Sequence, residues 1–178
     1  LDIVVNAKVS RPSVCNAIDT VLIDREVAQI FLPMLGEELK QYQVEIHADP
    51  ESFRVMEGYP WLQQAKSEDF GREFLDFKCS IKVVSGMSEA LDHIQQFSSK
   101  HSEAIVSDNQ EACDRFLQEV DAAAVYTNAS TRFTDGGVFG LGAEIGISTQ
   151  KLHARGPFAL EKLITEKWII RGEGQIRT

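Results

Sequence analysis

The chain has no apolar run near the roughly 18 residues needed to cross a bilayer. It is also short of basic charge: 18 Lys and Arg stand against 27 Asp and Glu, a formal net charge of −9. Neither a membrane span nor an electrostatic footprint for nucleic acid or an anionic membrane is expected. Cysteine is scarce as well. Cys15, Cys79 and Cys113 are odd in number and far apart, which argues against a disulfide framework and against a zinc site. A reducing, cytoplasmic compartment fits that usage. The opening residues Leu1-Asp2-Ile3-Val4-Val5-Asn6 have no basic flank and turn polar at once, so they do not read as a signal peptide. The chain begins without Met, inside a predicted helix, and excision from a longer protein is the expectation that follows.

What is present suits a globular domain. The 178 residues are 43% apolar and 25% charged, enough for one real hydrophobic core. Residues 2–9 read as the end of a helix, closed at Ser10-Arg11-Pro12-Ser13, because Pro12 biases its predecessor away from helical geometry. Thr20 to Ile23 reads as a buried strand. Residues 26–41 read as an amphipathic helix through Val27, Ile30, Phe31, Leu35 and Leu39, with a possible kink at Pro33. Strands are expected at 44–46, 79–84, 103–106 and 123–126, with helices at 88–97 and 110–120. Such alternation predicts an α/β fold with a largely parallel sheet and flanking helices. Residues 49–72 give no firm pattern. Residues 127–148 form a long polar and Gly-rich loop, the kind that is usually functional. A short helix at 161–164 and a strand at 166–170 close the chain, with Pro157 opening that helix.

Cys15 lies in a polar segment between helix and strand. A nearby cation such as Arg11, or exposed backbone N–H groups, would lower its pKa and make it a nucleophile. The plainer reading is a small packed side chain. Cys79 on a strand and Cys113 beside Phe116 and Leu117 read as packing residues. Gly140-Leu141-Gly142-Ala143-Glu144-Ile145-Gly146 is not a dinucleotide fingerprint, because its third glycine falls one residue late and no strand-to-helix turn surrounds it. It reads instead as a loop that brings its backbone close to a ligand. His47, His93 and His101 lack metal-ligand spacing and read as surface or hydrogen-bonded residues, His153 to Pro157 as a solvated turn, and Glu73 with Asp76 as a solvated strand entry.

Three segments go further. Arg11-Pro12-Ser13-Val14-Cys15-Asn16-Ala17 resembles the active-cysteine segment of the gamma-glutamyl phosphate reductases (glutamate-5-semialdehyde dehydrogenases). Asn128-Ala129-Ser130-Thr131-Arg132-Phe133-Thr134-Asp135-Gly136-Gly137 resembles a loop of the same family. So does the stretch from Phe139 to Thr149, which runs on into Leu152-His153-Ala154-Arg155-Gly156-Pro157. The likeness extends over nearly the whole chain, and the same module forms the reductase half of bifunctional pyrroline-5-carboxylate synthases.

The resemblance implies an aldehyde-dehydrogenase-like catalytic domain over residues 1–157. A C-terminal helix and oligomerisation strand would follow over 158–178, and the N-terminal nucleotide-binding domain of the family would be missing. It implies NADPH-dependent reduction of L-glutamate 5-phosphate to the 5-semialdehyde in proline biosynthesis, through a thioacyl group on Cys15. Glutamate 5-kinase would be the pathway partner, and the assembly a homo-oligomer. The carboxylate and ammonium of the glutamyl end call for N–H, hydroxyl and guanidinium donors and a negative charge. The substrate is therefore expected against Asn128, Ser130, Thr131, Arg132, Asp135, Gly140, Gly142 and Glu144, the alternative being that Arg132 and Asp135 merely pair to brace the loop. By resemblance, Glu73 would touch the cofactor ribose. NADP(H) would be held mainly by the missing domain, leaving this chain inactive alone. A non-catalytic folding or oligomerisation module is the reading from another class. An ordinary aldehyde dehydrogenase is a third, disfavoured by the 128–137 segment.

Overall fold

A computed structural model describes residues 1–178. Its centre is a four-stranded, fully parallel sheet in the order β1-β4-β2-β3, built from β1 (Thr20–Asp24), β2 (Glu45–Ala48), β3 (Leu62–Gln64) and β4 (Lys78–Val84). β4 lies between two neighbours and is almost continuously buried, as an interior parallel strand should be. Helix α1 (Asp2–Val9) leads into the sheet, while α2 (Arg25–Lys40) and α3 (Pro50–Val55) make the crossovers. The core joins Val21 and Ile23, Leu32, Leu35 and Leu39, Ile46 and Ala48, and Ile81 and Val83.

α2 starts where Asp24 accepts the Glu26 N–H at 2.9 Å, a side-chain cap of one orphan donor. It continues through Pro33 to Lys40. Its buried stripe is Ala28, Leu32, Leu35 and Leu39, spaced four, three and four apart. Of the expected stripe, Leu35 and Leu39 are buried and Phe31 packs against the core, whereas Val27 and Ile30 point outward; Ile30 is 71% exposed. The helix carries apolar residues on two faces, and the stripe with the more regular helical spacing is the one that packs.

The stretch left unread holds α3 and β3. Asp49 caps α3, accepting the Ser52 N–H at 3.0 Å, and also accepts the Val83 N–H at 3.2 Å. Pro50 takes the first helical turn, where its missing N–H costs nothing.

Beyond β4 the chain continues as α4 (Met87–Phe97), β5 (Ser102–Ile105), α5 (Gln110–Glu119) and β6 (Ala124–Thr127). β5 and β6 form their own parallel pair rather than extending the central sheet. An antiparallel pair follows, β7 (Gly146–Ser148) with β8 (Gly156–Phe158). Pro157 therefore sits in a strand and does not open a helix. The helix expected at 161–164 is a single 3₁₀ turn, Leu160–Lys162, and residues 166–170 form no strand. A lone strand has no ladder partner within this chain, and its backbone groups stay open. Trp168 is 85% exposed, with Ile169 and Ile170 also outside.

Candidate active site

Cys15 sits in the loop that joins α1 to β1. Ala17 donates its N–H to the Val14 carbonyl at 2.9 Å, closing a turn around the cysteine, and Ile18 donates to Ala7 at 3.0 Å, tying the loop to its helix. Cys15 is exposed, whereas Cys79 and Cys113 are buried.

The loop after β6 braces this turn from the far side. Asn16 is buried and donates to the carbonyls of Thr134 at 2.7 Å and Arg132 at 3.4 Å. Its own carbonyl accepts the Thr131 hydroxyl at 2.7 Å. The Arg132 guanidinium donates to the Asn16 side-chain oxygen, and at 3.0 Å to the Ser10 hydroxyl. Ser130 accepts the Arg132 N–H at 3.3 Å and so caps the 3₁₀ turn Thr131–Phe133. Asn16 was not singled out in the sequence. The signal for it was a polar residue beside the cysteine, and only the fold shows that it is buried.

A chain of hydroxyls extends the brace. Tyr126 meets Thr134 at 2.6 Å, Thr134 meets Ser102 at 2.7 Å, and Ser102 meets His101 Nδ1 at 2.8 Å. His101 is buried rather than at the surface, and burial holds its pKa below the ordinary imidazole value. His93 is buried likewise, edge-on to Phe70 and tilted against Phe97.

The Gly-rich loop closes on itself. Gly136 donates to the Glu144 carboxylate at 2.8 Å, and Leu141 donates to the Gly136 carbonyl at 2.9 Å. A Cβ on Gly136 would lie 2.5 Å from the Ala143 carbonyl oxygen, so only glycine fits there. Asp135 accepts the Val138 N–H at 3.0 Å and does not pair with Arg132. Asn128 makes two bonds to the Ser107 backbone, at 2.9 and 3.0 Å. Gly140 and Gly142 take left-handed backbone with open space around them.

The structure thus gathers most of the expected residues, in divided roles. Thr131 and Arg132 fasten directly to the cysteine loop. Asn128 and Ser130 shape the segment that carries them. Asp135 and Glu144 are bonded within their own loop, leaving Gly140 and Gly142 open. Glu73 is exposed, and its carboxylate, like that of Glu144, acts electrostatically on Cys15.

The expected lowering of the Cys15 pKa is not found. Partial burial of the sulfur is the largest influence and raises it, although the residue as a whole is exposed, and Glu144 and Glu73 raise it further. The cysteine's own backbone N–H and Arg132 pull the other way without prevailing. Both carboxylates disfavour a thiolate for the same Coulombic reason. Arg11 is exposed and does not figure among these influences.

These environments order the thiols. Burial pushes Cys79 up to about 12, and Cys113 is sealed in the core. Limiting iodoacetamide will label Cys15 first, since it is the accessible thiol and the other two are buried. Its rate will keep rising as pH passes the ordinary thiol value, because a raised pKa delays the thiolate. Peptide mass spectrometry reads both. Earlier labelling of Cys79 or Cys113, or a rate that saturates near neutral pH, would contradict this site.

No family model matches the chain. A gamma-glutamyl phosphate reductase of Legionella pneumophila (strain Paris) is 58% identical over 178 residues, covering 98% of this chain and 42% of that protein. The crystal structure of gamma-glutamyl phosphate reductase from Thermotoga maritima superposes with a TM-score of 0.93 at 45% identity, over 99% of this chain and 42% of its own. An acetylating aldehyde dehydrogenase from Geobacillus thermoglucosidasius shares 16% identity at a TM-score of 0.54, over 77% of this chain and 38% of its own, which establishes an aldehyde-dehydrogenase type of fold. The chain spans less than half the length of the curated relatives it matches.

Proposed function

We propose that this chain, as a segment of the gamma-glutamyl phosphate reductase family, supplies the nucleophile for reducing L-glutamate 5-phosphate to glutamate 5-semialdehyde in proline biosynthesis. The observation that carries the proposal is Cys15 itself. It is the accessible thiol of the three, held in a turn that is cross-braced through Asn16 by Thr131 and Arg132.

The Cys15 sulfur, once deprotonated, attacks the acyl carbon of the substrate. The C–O bond to phosphate breaks, phosphate leaves with that electron pair, and a thioacyl group remains on Cys15. Covalent capture splits one difficult displacement into two easier ones. Bound NADPH would supply hydride to the thioacyl carbon; the C–S bond then breaks, the semialdehyde departs, and Cys15 keeps the electron pair as thiolate. Glu73 fits a ribose contact, being an exposed carboxylate whose charge is felt at Cys15 and whose neighbour Phe74 is bonded to Asp19 below the cysteine loop. Carboxylate and α-ammonium groups of the glutamyl end need donors and a negative charge respectively. The Gly142 N–H, with Glu144 and Asp135, offers both, whereas the Gly140 N–H is already given to the Gly137 carbonyl at 3.2 Å. Asn128, Ser130, Thr131 and Arg132 serve the substrate by holding this loop against the cysteine. Glutamate 5-kinase is the enzyme that would supply the acyl phosphate.

A second role accompanies catalysis. The tail after Ala159 is exposed throughout and carries Leu163, Ile164, Trp168, Ile169 and Ile170. Contiguous exposed apolar surface of this kind marks an interaction site, and we assign the tail to assembly of a homo-oligomer.

Turnover requires thioacyl and hydride donor to be held in line, which is an entropic contribution of two domains. The purified 178-residue chain is therefore expected to show no measurable NADPH oxidation with glutamate 5-phosphate, while the full-length enzyme turns over. Robust activity of the short chain would overturn this division of labour. Absence of activity in the full-length enzyme would overturn the functional reading.

A further inference from the structure

Lys8 is the largest fully buried side chain in the protein and is charged, an expensive arrangement unless it is matched. It sits seven residues before Cys15. Its ammonium donates to the carbonyls of Lys78 at 2.7 Å and Asp76 at 3.2 Å, and lies 3.7 Å from the Asp19 carboxylate, four residues after Cys15. Asp19 in turn accepts the Phe74 N–H at 3.1 Å, and its carbonyl accepts the Ser80 N–H at 2.8 Å. The two side chains therefore close the base of the cysteine loop and grip the segment from Phe74 to Lys78.

That segment is strained. Leu75 has a φ of 55°, a left-handed backbone that a non-glycine residue rarely adopts. Its side chain is half exposed and gains little from burial there. Such a conformation persists only where its surroundings over-determine it. Here the restraints are the Phe74 N–H on Asp19 and the Asp76 carbonyl on Lys8, one on each side of Leu75. A hydrophobic pair of similar volume would hold the fold as well, but would offer neither bond to the turn.

We propose that the Lys8–Asp19 pair is a positioning device: it pins the backbone on both sides of Leu75 and so fixes the neighbouring Glu73 carboxylate, the nicotinamide-ribose contact, at a set place beside Cys15. This rests on the reading of Cys15 as nucleophile and Glu73 as cofactor contact. The pair touches neither substrate nor cofactor; it acts through Glu73.

The test uses the full-length enzyme in the oxidative direction, with glutamate 5-semialdehyde, phosphate and NADP+. One carboxylate oxygen, Oδ1, both accepts the Phe74 N–H and faces Lys8, so in Asp19→Asn the amide oxygen can keep both positions but brings no charge to match the ammonium. The KM for NADP+ should rise about tenfold, as expected for weakening a hydrogen bond to a charged group. The KM for the semialdehyde should not move, and Cys15 alkylation should not slow: with Glu73 displaced, one of the charges opposing the thiolate is weakened. The charge-balanced Lys8→Met/Asp19→Leu variant, which leaves no lone buried charge, should give the same split. On a Glu73→Ala background, Asp19→Asn should add nothing. A folded variant with an unchanged KM for NADP+ overturns the proposal. So does an effect that persists in full without Glu73, or one that slows Cys15 alkylation equally and thus reports only on the loop. Failure of the underlying reading looks different: the wild-type enzyme would then show no phosphate-dependent reduction of NADP+, or would keep it in Cys15→Ala.

Discussion

Cys15→Ala in the full-length enzyme will lower reductase turnover by at least about a thousandfold, the scale on which loss of a covalent nucleophile is felt. The effect should fall on kcat, since the side chain makes its bond only during the reaction. Stability should change little, because the side chain is exposed and surface truncations are usually mild. Cys15→Ser should be nearly as inactive: a hydroxyl deprotonates far less readily than a thiol, and Glu73 and Glu144 already oppose negative charge at this position. Steady-state kinetics with thermal denaturation as a folding control will decide. Retention of a tenth or more of the activity in Cys15→Ala would remove the cysteine from the chemistry.

Arg132→Ala is expected to be the next most damaging change. The guanidinium bonds Asn16 and Ser10 on the two sides of Cys15, and it is the cationic side chain that lowers the thiol pKa against two carboxylates. Removing it leaves the buried Asn16 oxygen without that donor and the thiol with less reason to ionise. A fall in kcat/KM of roughly 30-fold follows from losing one hydrogen bond from a charged group. The pH profile of Cys15 alkylation should move upward, since the one cation favouring thiolate is gone. An unchanged alkylation profile with a raised substrate KM would show instead that Arg132 binds the glutamyl group directly.

Most strands and helices up to Thr127, though not α3 and β3, are legible because parallel α/β units alternate their periodicity and because β1 carries an apolar run through Val21, Leu22 and Ile23. The α2 face is legible at Phe31, Leu35 and Leu39, but not in the first turns, where Val27 and Ile30 compete with Ala28 and Leu32 and spacing alone does not show which pair meets the sheet. α3 was missed because it is only six residues long, although Asp49-Pro50 is a start signal. The strand expected at 166–170 finds no ladder partner among the residues of this chain.

The site was legible in part, through local motifs. Cys15, the 128–137 loop and the Gly-rich loop stand out as sequence. What joins them does not. Asn16 contacts Thr131, Arg132 and Thr134 across more than a hundred residues, and no local pattern encodes that separation. The direction of the Cys15 pKa shift was also out of reach. Arg11 is close in sequence, but Glu73, Glu144 and Arg132 are the charges that act on the sulfur, and all three arrive through the fold.

The central claim is that the acyl group is carried on the sulfur of Cys15. The most direct measurement is peptide mass spectrometry of the full-length enzyme, acid-quenched while glutamate 5-kinase and ATP generate glutamate 5-phosphate in the absence of NADPH. The account predicts one glutamyl group on the peptide containing Cys15, absent in Cys15→Ala and lost when NADPH is added before the quench. An unmodified Cys15, or a glutamyl group found on Cys79 or Cys113, would contradict it.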